Sequence, residues 1–383
     1  MTGSLRDGVV KRGDSWSYVV RIFDHETGRT KPRWVGGFPT ELAAKAARDE
    51  ARVAARRGEY VDRSTVTVTA YLRDWQVSHS VAVKPKTMAG YRELAERYVI
   101  PHIGGMRLQS VRPTTLSRLY RDLLAGGGIG GRRLSPRTVE MVHRMLSKAF
   151  RDAVRVEQLI PSSPVDRATR PRVEGTEPKI IWSAGQLKTF LAFASDHRLG
   201  GFYRLAAYSG ARRGELLHLR WHDVDLDAAE VTFTGSTDVI EGERIEGTTK
   251  GGRSRVISLD PGTVEVMREH RKRQVAEQLA AGEWWRGDGD LVFRASDGAP
   301  LYPSSVSSLM RKLVAASGMP HARLHDLRHL HATTLLLAGV PVHVVAARLG
   351  HADASITLKV YAHVLREQAS GVAIVFAEAI EAG

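Results

Sequence analysis

His325-Asp326-Leu327-Arg328-His329, followed by Leu349-Gly350-His351 and then by Tyr361, is the stretch on which the reading of this chain turns. His325 and Arg328 stand three residues apart, so on a helix they share a face. An imidazole and a guanidinium side by side can address one phosphate: the guanidinium through paired N–H donors, the imidazole by passing a proton. His325 and His329 also have the i, i+4 spacing of a zinc pair. No HExxH glutamate and no cysteine accompanies them, and Arg328 would sit beside the cation, so no metal is expected. Taken alone, the same residues fit ordinary polar partners at a buried helix end, and a single tyrosine near a C-terminus is ordinarily core or surface.

Upstream, Ser209-Gly210-Ala211-Arg212-Arg213-Gly214-Glu215 places Arg212 just after Gly210, at a break between helical runs. The next helix packs through Leu216, Leu217 and Leu219, so a guanidinium at its start projects into a cleft. Glu215, three residues on, is placed to orient Arg212 by ion pairing. Lys250 lies in Thr248-Thr249-Lys250-Gly251-Gly252, just ahead of a strand expected at 255–259. A lysine on a glycine-flanked turn is usually only a loop lysine.

The chain of 383 residues has room for two or three domains, and its 43% hydrophobic content is that of an ordinary globular protein. Cysteine is absent, which removes disulfides, thiol chemistry and Cys-based zinc sites. No basic-then-apolar leader opens the sequence, and its most apolar stretch, 332–347, is too short to span a bilayer. A cytoplasmic protein with no membrane partner is therefore expected. The net charge of +14 favours a polyanion. That charge is unevenly placed. Residues 64–176 carry 19 Lys and Arg against 9 Asp and Glu, whereas residues 177–383 carry 24 of each. The basic grip thus lies upstream, and the C-terminal half must hold phosphate with a few placed cations. Arginine outnumbers lysine 44 to 12, a ratio that a GC-rich coding bias explains as well as phosphate recognition does.

Three segments and a linker emerge. Residues 1–63 contain strand-like runs at 17–22 and 30–35, then a helix over 40–57 with Thr40 as its cap. Arg21, Arg29, Lys31 and Arg33 on those strands suit a β-ribbon laid in a major groove. Residues 64–172 read as a helical bundle. Val68, Tyr71, Leu72 and Trp75 share one helical face, as do Leu116, Leu119, Tyr120 and Leu123. Ser135-Pro136 starts a further helix lined by Val139, Val142, Leu146, Ala149 and Ala153. Residues 173–178 are the core of a polar, proline-punctuated linker. Residues 179–383 mix helices with a small sheet, whose strands are expected at 231–234 and 255–259 around a long polar stretch. The tail repeats apolar residues at helical spacing: Val372, Val375, Phe376 and Ala379.

The ordered set Arg212, Lys250, His325, Arg328, His351 and Tyr361 resembles the catalytic core of the tyrosine site-specific recombinases of the phage integrase type. The likeness spans about residues 178–366 by motif. It implies a mainly α, mixed fold: a small N-terminal sheet-plus-helix domain for arm sites, a helical-bundle core-site domain, and an α+β catalytic domain. It also implies a mechanism. Tyr361 attacks the scissile phosphate and forms a 3′-phosphotyrosyl link. Arg212 and Arg328 clamp the non-bridging oxygens, Lys250 protonates the leaving 5′ oxygen, His325 assists proton transfer, and His351 hydrogen-bonds the phosphate. No metal, ATP or other cofactor is needed in such a scheme. The partners implied are double-stranded DNA at specific attachment sites, three further copies in a homotetramer exchanging strands through a Holliday junction, and an accessory DNA-bending or directionality factor. The N-terminal module points to a phage or mobile-element integrase. The alternatives are an Xer-like resolvase or transposon recombinase, a type IB topoisomerase, and, from another class, a non-catalytic DNA-binding regulator.

Overall fold

The computed structural model describes residues 8–24, 28–57, 60–173, 182–249, 251–351, 353–355, 357–358, 376–377 and 380–381. The chain divides into two compact units, Met1–Gly175 and Thr176–Gly383. No helix among the described residues is long and apolar enough to cross a membrane.

The first unit opens on an antiparallel sheet of β1 (Val9–Arg12), β2 (Ser15–Asp24) and β3 (Arg29–Phe38), followed by α1 (Glu41–Arg56). Both strands expected from the sequence are present but longer than expected, and β1 is an addition. The four residues of β1 are too short and too polar to stand out from a pattern of alternation. Thr40 caps α1, its side chain accepting from the Ala43 N–H at 3.1 Å. Tyr18, Val20, Phe38, Ala44 and Ala51 form the small core between sheet and helix.

The rest of this unit is helical: α2 (Val68–His79), α3 (Pro85–Leu94), a π turn (Ala95–Val99) leading into α4 (Ile100–Ile103), α5 (Pro113–Ala125) and α6 (Pro136–Arg155). Ser135 caps α6 by accepting from the Thr138 N–H at 3.2 Å, with Pro136 at the first helical position, where no N–H is missed. The faces read from the sequence are those that are buried: Val68, Tyr71, Leu72 and Trp75 on α2, Leu116, Leu119, Tyr120 and Leu123 on α5. On α6, Met145 and Phe150 join the five expected positions. The Tyr71 hydroxyl donates to the Ala149 carbonyl at 2.6 Å, and Trp75 Nε1 donates to Asp152 at 2.9 Å, so the aromatic rings tie α2 to α6 by polar as well as apolar contact.

The second unit begins with α7 (Ala184–Ser195), α8 (Gly200–Ser209) and α9 (Arg213–His218). A three-stranded sheet follows, ordered β4 (Val224–Asp225), β5 (Glu230–Phe233), β8 (Arg255–Ser258). The long polar stretch between β5 and β8 is not a loop. It forms a hairpin, β6 (Gly235–Ile240) with β7 (Glu243–Thr248), turning at Glu241 (φ 52°) and Gly242 (φ 90°). Two consecutive positive φ values match the twist of the paired strands. Its strands are polar because they are half exposed, which hides them from a hydrophobic pattern. Helices α10 (Pro261–Ala281), α11 (Pro303–Ala316), α12 (Leu324–Leu337) and α13 (Val342–Leu349) complete the unit. Its core centres on Phe190, Phe202, Tyr203, Phe233 and Phe293, all fully buried.

Phe150 lies fully buried in the bundle core. Phe150→Ala is expected to cost about 3–5 kcal/mol of stability. Denaturant unfolding checks this: an unchanged midpoint at unchanged slope would contradict the packing described.

Candidate active site

Four elements of the second unit converge on one helix end. Helix α13 stops at Leu349 because Gly350 takes the left-handed conformation, φ +66°. The last carbonyls of a helix have no partner within it and carry its negative partial charge. Here three consecutive carbonyls each accept from a different arginine. Arg255 Nε donates to the Arg348 carbonyl at 3.0 Å, Arg328 Nη2 to Leu349 at 2.7 Å, and Arg212 Nη2 to Gly350 at 3.2 Å. A Cβ on Gly350 would lie 2.8 Å from Arg255 Nη1, so the glycine serves both the turn and the close approach of the guanidinium.

Each arginine reaches the turn from a different place. Arg212 is the N-cap residue of α9, two residues after the left-handed Gly210 (φ +63°) that ends α8. Arg328 sits on the second turn of α12 and is buried; its Nη1 donates to the Gly210 carbonyl at 2.7 Å. Thus one guanidinium bridges the two glycine turns. Arg255 opens β8, where it pairs with Phe233 across the sheet, and its guanidinium lies over that ring, 4.9 Å from the centroid. Alternation puts Arg255 on the same inner face as buried Ile257, which is why a cation at a strand end points inward.

Glu215 lies beneath them, 1% exposed. The ion pair to Arg212 expected from the sequence is present: Arg212 Nη1 donates to Oε1 at 2.8 Å, and the Arg212 backbone N–H to Oε2 at 2.8 Å. Arg255 supplies two more donors, Nη1 to Oε1 at 3.1 Å and Nη2 to Oε2 at 2.6 Å. Burial would raise the Glu215 pKa, but the Arg255 hydrogen bonds and charge, with those of Arg212, outweigh it and hold the carboxyl below its usual range.

His351 follows the turn, half-buried. Its Nδ1 meets the Thr357 hydroxyl at 2.7 Å, and Thr357 is fully buried. Burial, then the charges of Arg328, Arg212 and Arg255, push its pKa down to about 4, so the imidazole is neutral near pH 7. His325 is exposed on the first turn of α12, and its ring meets that of His329 edge-on at 4.8 Å between centroids. The structure thus gathers Arg212, Glu215, Arg328 and His351, with His325 at the rim of the same helix. Lys250 and Tyr361 lie outside the described residues. The turn flanking Lys250 is described: Gly252 N–H donates to the Thr249 carbonyl at 3.0 Å, and the Thr249 hydroxyl to Arg253 at 2.8 Å.

A second layer was not foreseen from the sequence. Arg348 donates to His331 Nε2 at 3.1 Å and to the carbonyls of Tyr208 and Ser258, both at 3.1 Å. His331 Nδ1 lies 3.0 Å from the Ala207 carbonyl, so that nitrogen carries the proton and Nε2 accepts. This network fastens α13 to α8, β8 and α12. Nothing in the order of residues marks Arg255, Arg348 or His331 as partners, since their contacts span 17 to 140 positions, and Thr357, six residues past His351, matches no local pairing pattern.

The four basic residues expected to meet DNA in the N-terminal sheet are all exposed, but they do not share a face. Val20 pairs with Arg33 and Ile22 with Lys31, so those cations stand on the side of the sheet that carries Tyr18 and Val20, as does Arg29 opposite Asp24. Arg33 there meets Asp62 at 2.9 Å. Arg21 lies on the opposite, open side with Phe23 and Trp34. Arg12, which the sequence reading passed over, stacks on Trp34 at 4.3 Å from the ring centroid.

Comparison with known proteins agrees with this architecture. The phage integrase family matches residues 183–368, an arm DNA-binding domain matches 9–53, and the SAM-like N-terminal domain of phage integrases matches 67–124. A tyrosine recombinase XerC-like protein of Caldanaerobacter subterraneus is 28% identical over 94% of this chain and 95% of its own length. Among solved structures, the Tn1549 transposon integrase in complex with a circular intermediate DNA superposes with a TM-score of 0.66 at 20% identity, over 80% of this chain and 100% of that one. The lambda integrase tetramer bound to a Holliday junction gives 0.56 at 17% identity, over 93% and 96%. The chain belongs to the phage integrase family of tyrosine recombinases.

Burial and then the Arg348 charge push the His331 pKa down to about 4, against about 6.5 unfolded. The unfolded chain therefore binds the extra proton first as pH falls. Stability from this group is full above about pH 6.5 and drains as pH falls toward 4. Thermal melts should show a shallower loss of Tm between these limits in His331→Gln than in the wild type. Equal slopes would contradict a buried neutral His331.

Proposed function

We propose that this protein is a site-specific DNA recombinase, a phage or mobile-element integrase, that cuts and rejoins DNA through a 3′-phosphotyrosyl intermediate. The observation that supports this most strongly is the α13 turn. It orients the guanidiniums of Arg212 and Arg328 beside a neutral imidazole in a half of the chain that has no net charge.

In the proposed reaction the Tyr361 phenol oxygen attacks the scissile phosphorus. The new O–P bond forms as the bond to the 5′ oxygen breaks. A phenol is a weak nucleophile near neutral pH, with an ordinary pKa of about 10, and neighbouring cations favour its phenolate. Arg212 and Arg328 take the non-bridging oxygens, where the transition state gains charge. His351, its Nδ1 engaged by Thr357, offers Nε2 to the phosphate. Lys250 gives its proton to the departing 5′ oxygen, and His325, exposed at the rim, assists in removing the phenol proton. Two arginines and a lysine then supply the charge that metal ions bring to other nucleases. The covalent link conserves the bond energy for rejoining, so no nucleotide cofactor enters the scheme.

The partners we propose are paired attachment sites held by a homotetramer in the bacterial cytoplasm, with strand exchange through a Holliday junction and an accessory bending or directionality factor. The match to an arm DNA-binding domain at 9–53 favours an integrase that contacts two kinds of site. Full-length likeness to an XerC-like protein keeps a resolvase as the second reading. Footprinting separates them, since arm and core sites are both protected only by the integrase.

The chemistry is tested with a nicked suicide duplex carrying the recombination site, in EDTA. The wild type should form an adduct that survives denaturation, and Tyr361→Phe should form none. An adduct that persists in Tyr361→Phe would remove that residue from its role.

A further inference from the structure

Arg255 lies outside the set of residues to which the reaction has been assigned, yet all three of its guanidinium nitrogens are engaged within the site. Its side chain is only 10% exposed. Both terminal nitrogens are spent on Glu215, at 3.1 and 2.6 Å, and Nε on the Arg348 carbonyl, at 3.0 Å. One guanidinium therefore chelates a carboxylate and a helix-end carbonyl together. The same carboxylate holds Arg212 through Nη1 and the backbone N–H, and the neighbouring carbonyl of Gly350 holds Arg212 through Nη2. The bonds close a ring: Arg212, Glu215, Arg255, the Arg348 to Gly350 turn, and back to Arg212.

The ring matters because Glu215 has two possible masters. A buried carboxylate left with Arg212 alone would lose two charge-assisted bonds and would draw that guanidinium inward to recover them. With Arg255 satisfying the far side, Glu215 holds Arg212 by one edge, which leaves the rest of that guanidinium, 23% exposed, for a ligand. We propose that Arg255 is a positioning residue for phosphoryl transfer: by chelating Glu215 and the α13 carbonyl end together, it fixes the carboxylate that aims Arg212. This rests on the recombinase reading above. Arg255 itself does not touch the substrate; it acts through Glu215. A lysine there keeps the charge but presents a single point in place of a planar fork, and so does not replace it.

The test uses the full chain and the nicked suicide duplex at saturating protein, well below the melting temperature of each variant. The first-order rate of adduct formation and the DNA concentration dependence are read separately. Arg255→Lys and Arg255→Gln should each slow the rate by about 10- to 100-fold while half-saturation moves by less than about twofold. Because Arg255 acts through Glu215, adding Arg255→Gln to Glu215→Gln should slow the reaction no further than Glu215→Gln alone. Wild-type rates in both Arg255 variants, or losses that multiply in the double variant, would overturn the proposal. So would collapse of the fold in both single variants, which would assign Arg255 to stability alone. A wild type that forms no adduct at all would overturn the recombinase reading, and is seen before any variant is made.

Discussion

Three carbonyls at the end of one short helix hold the site together. Guanidiniums repel one another, and bringing Arg212, Arg255 and Arg328 to one turn requires negative charge at close range. The C-terminal end of α13 supplies part of it as three carbonyl oxygens that accept from the arginines, and buried Glu215 supplies the rest. Each arginine comes from a separate element: the α8–α9 turn, strand β8 and helix α12. The turn is therefore the point at which the whole second unit is registered. Gly210 and Gly350 are the two places where the backbone must be left-handed for the carbonyls to face the cations. Arg348, whose carbonyl is one of the three acceptors, sends its own side chain the other way, to His331, Tyr208 and Ser258. The platform is fixed from both sides.

This arrangement explains how a half-chain with 24 basic and 24 acidic residues can address a polyanion. Many of its arginines are spent internally, on carboxylates and carbonyls. Arg212 keeps part of its guanidinium exposed beside a neutral His351. The excess positive charge is upstream, in the segment that forms the helical bundle. In the proposed reaction, gross attraction for DNA and local handling of one phosphate are thus separated along the chain.

Local features were legible in the sequence, because their causes are local. Thr40 and Ser135-Pro136 announce helix starts, and the buried faces of α2 and α5 follow from 3.6-residue spacing. Arg212 and Glu215, three residues apart, announce their own ion pair. The β6–β7 hairpin was hidden because its strands are half exposed and carry no apolar alternation. Arg255 was hidden for a different reason. Its bonds reach Glu215, 40 positions away, and Arg348, 93 away, and no pattern of residue types encodes such a meeting. Register likewise decided what composition did not: alternation sends Arg21 to one side of the N-terminal sheet and Lys31 and Arg33 to the other.

The central claim is that this constellation serves a covalent phosphoryl transfer to Tyr361. The most direct measurement is mass-spectrometric mapping of the protein–DNA adduct after trypsin. Cleavage at Lys359 and Arg366 isolates residues 360–366, which contain one tyrosine. The account predicts that this peptide carries the nucleotide, linked through its 3′ phosphate. A nucleotide on any other peptide, or a linkage through the 5′ phosphate, would contradict it.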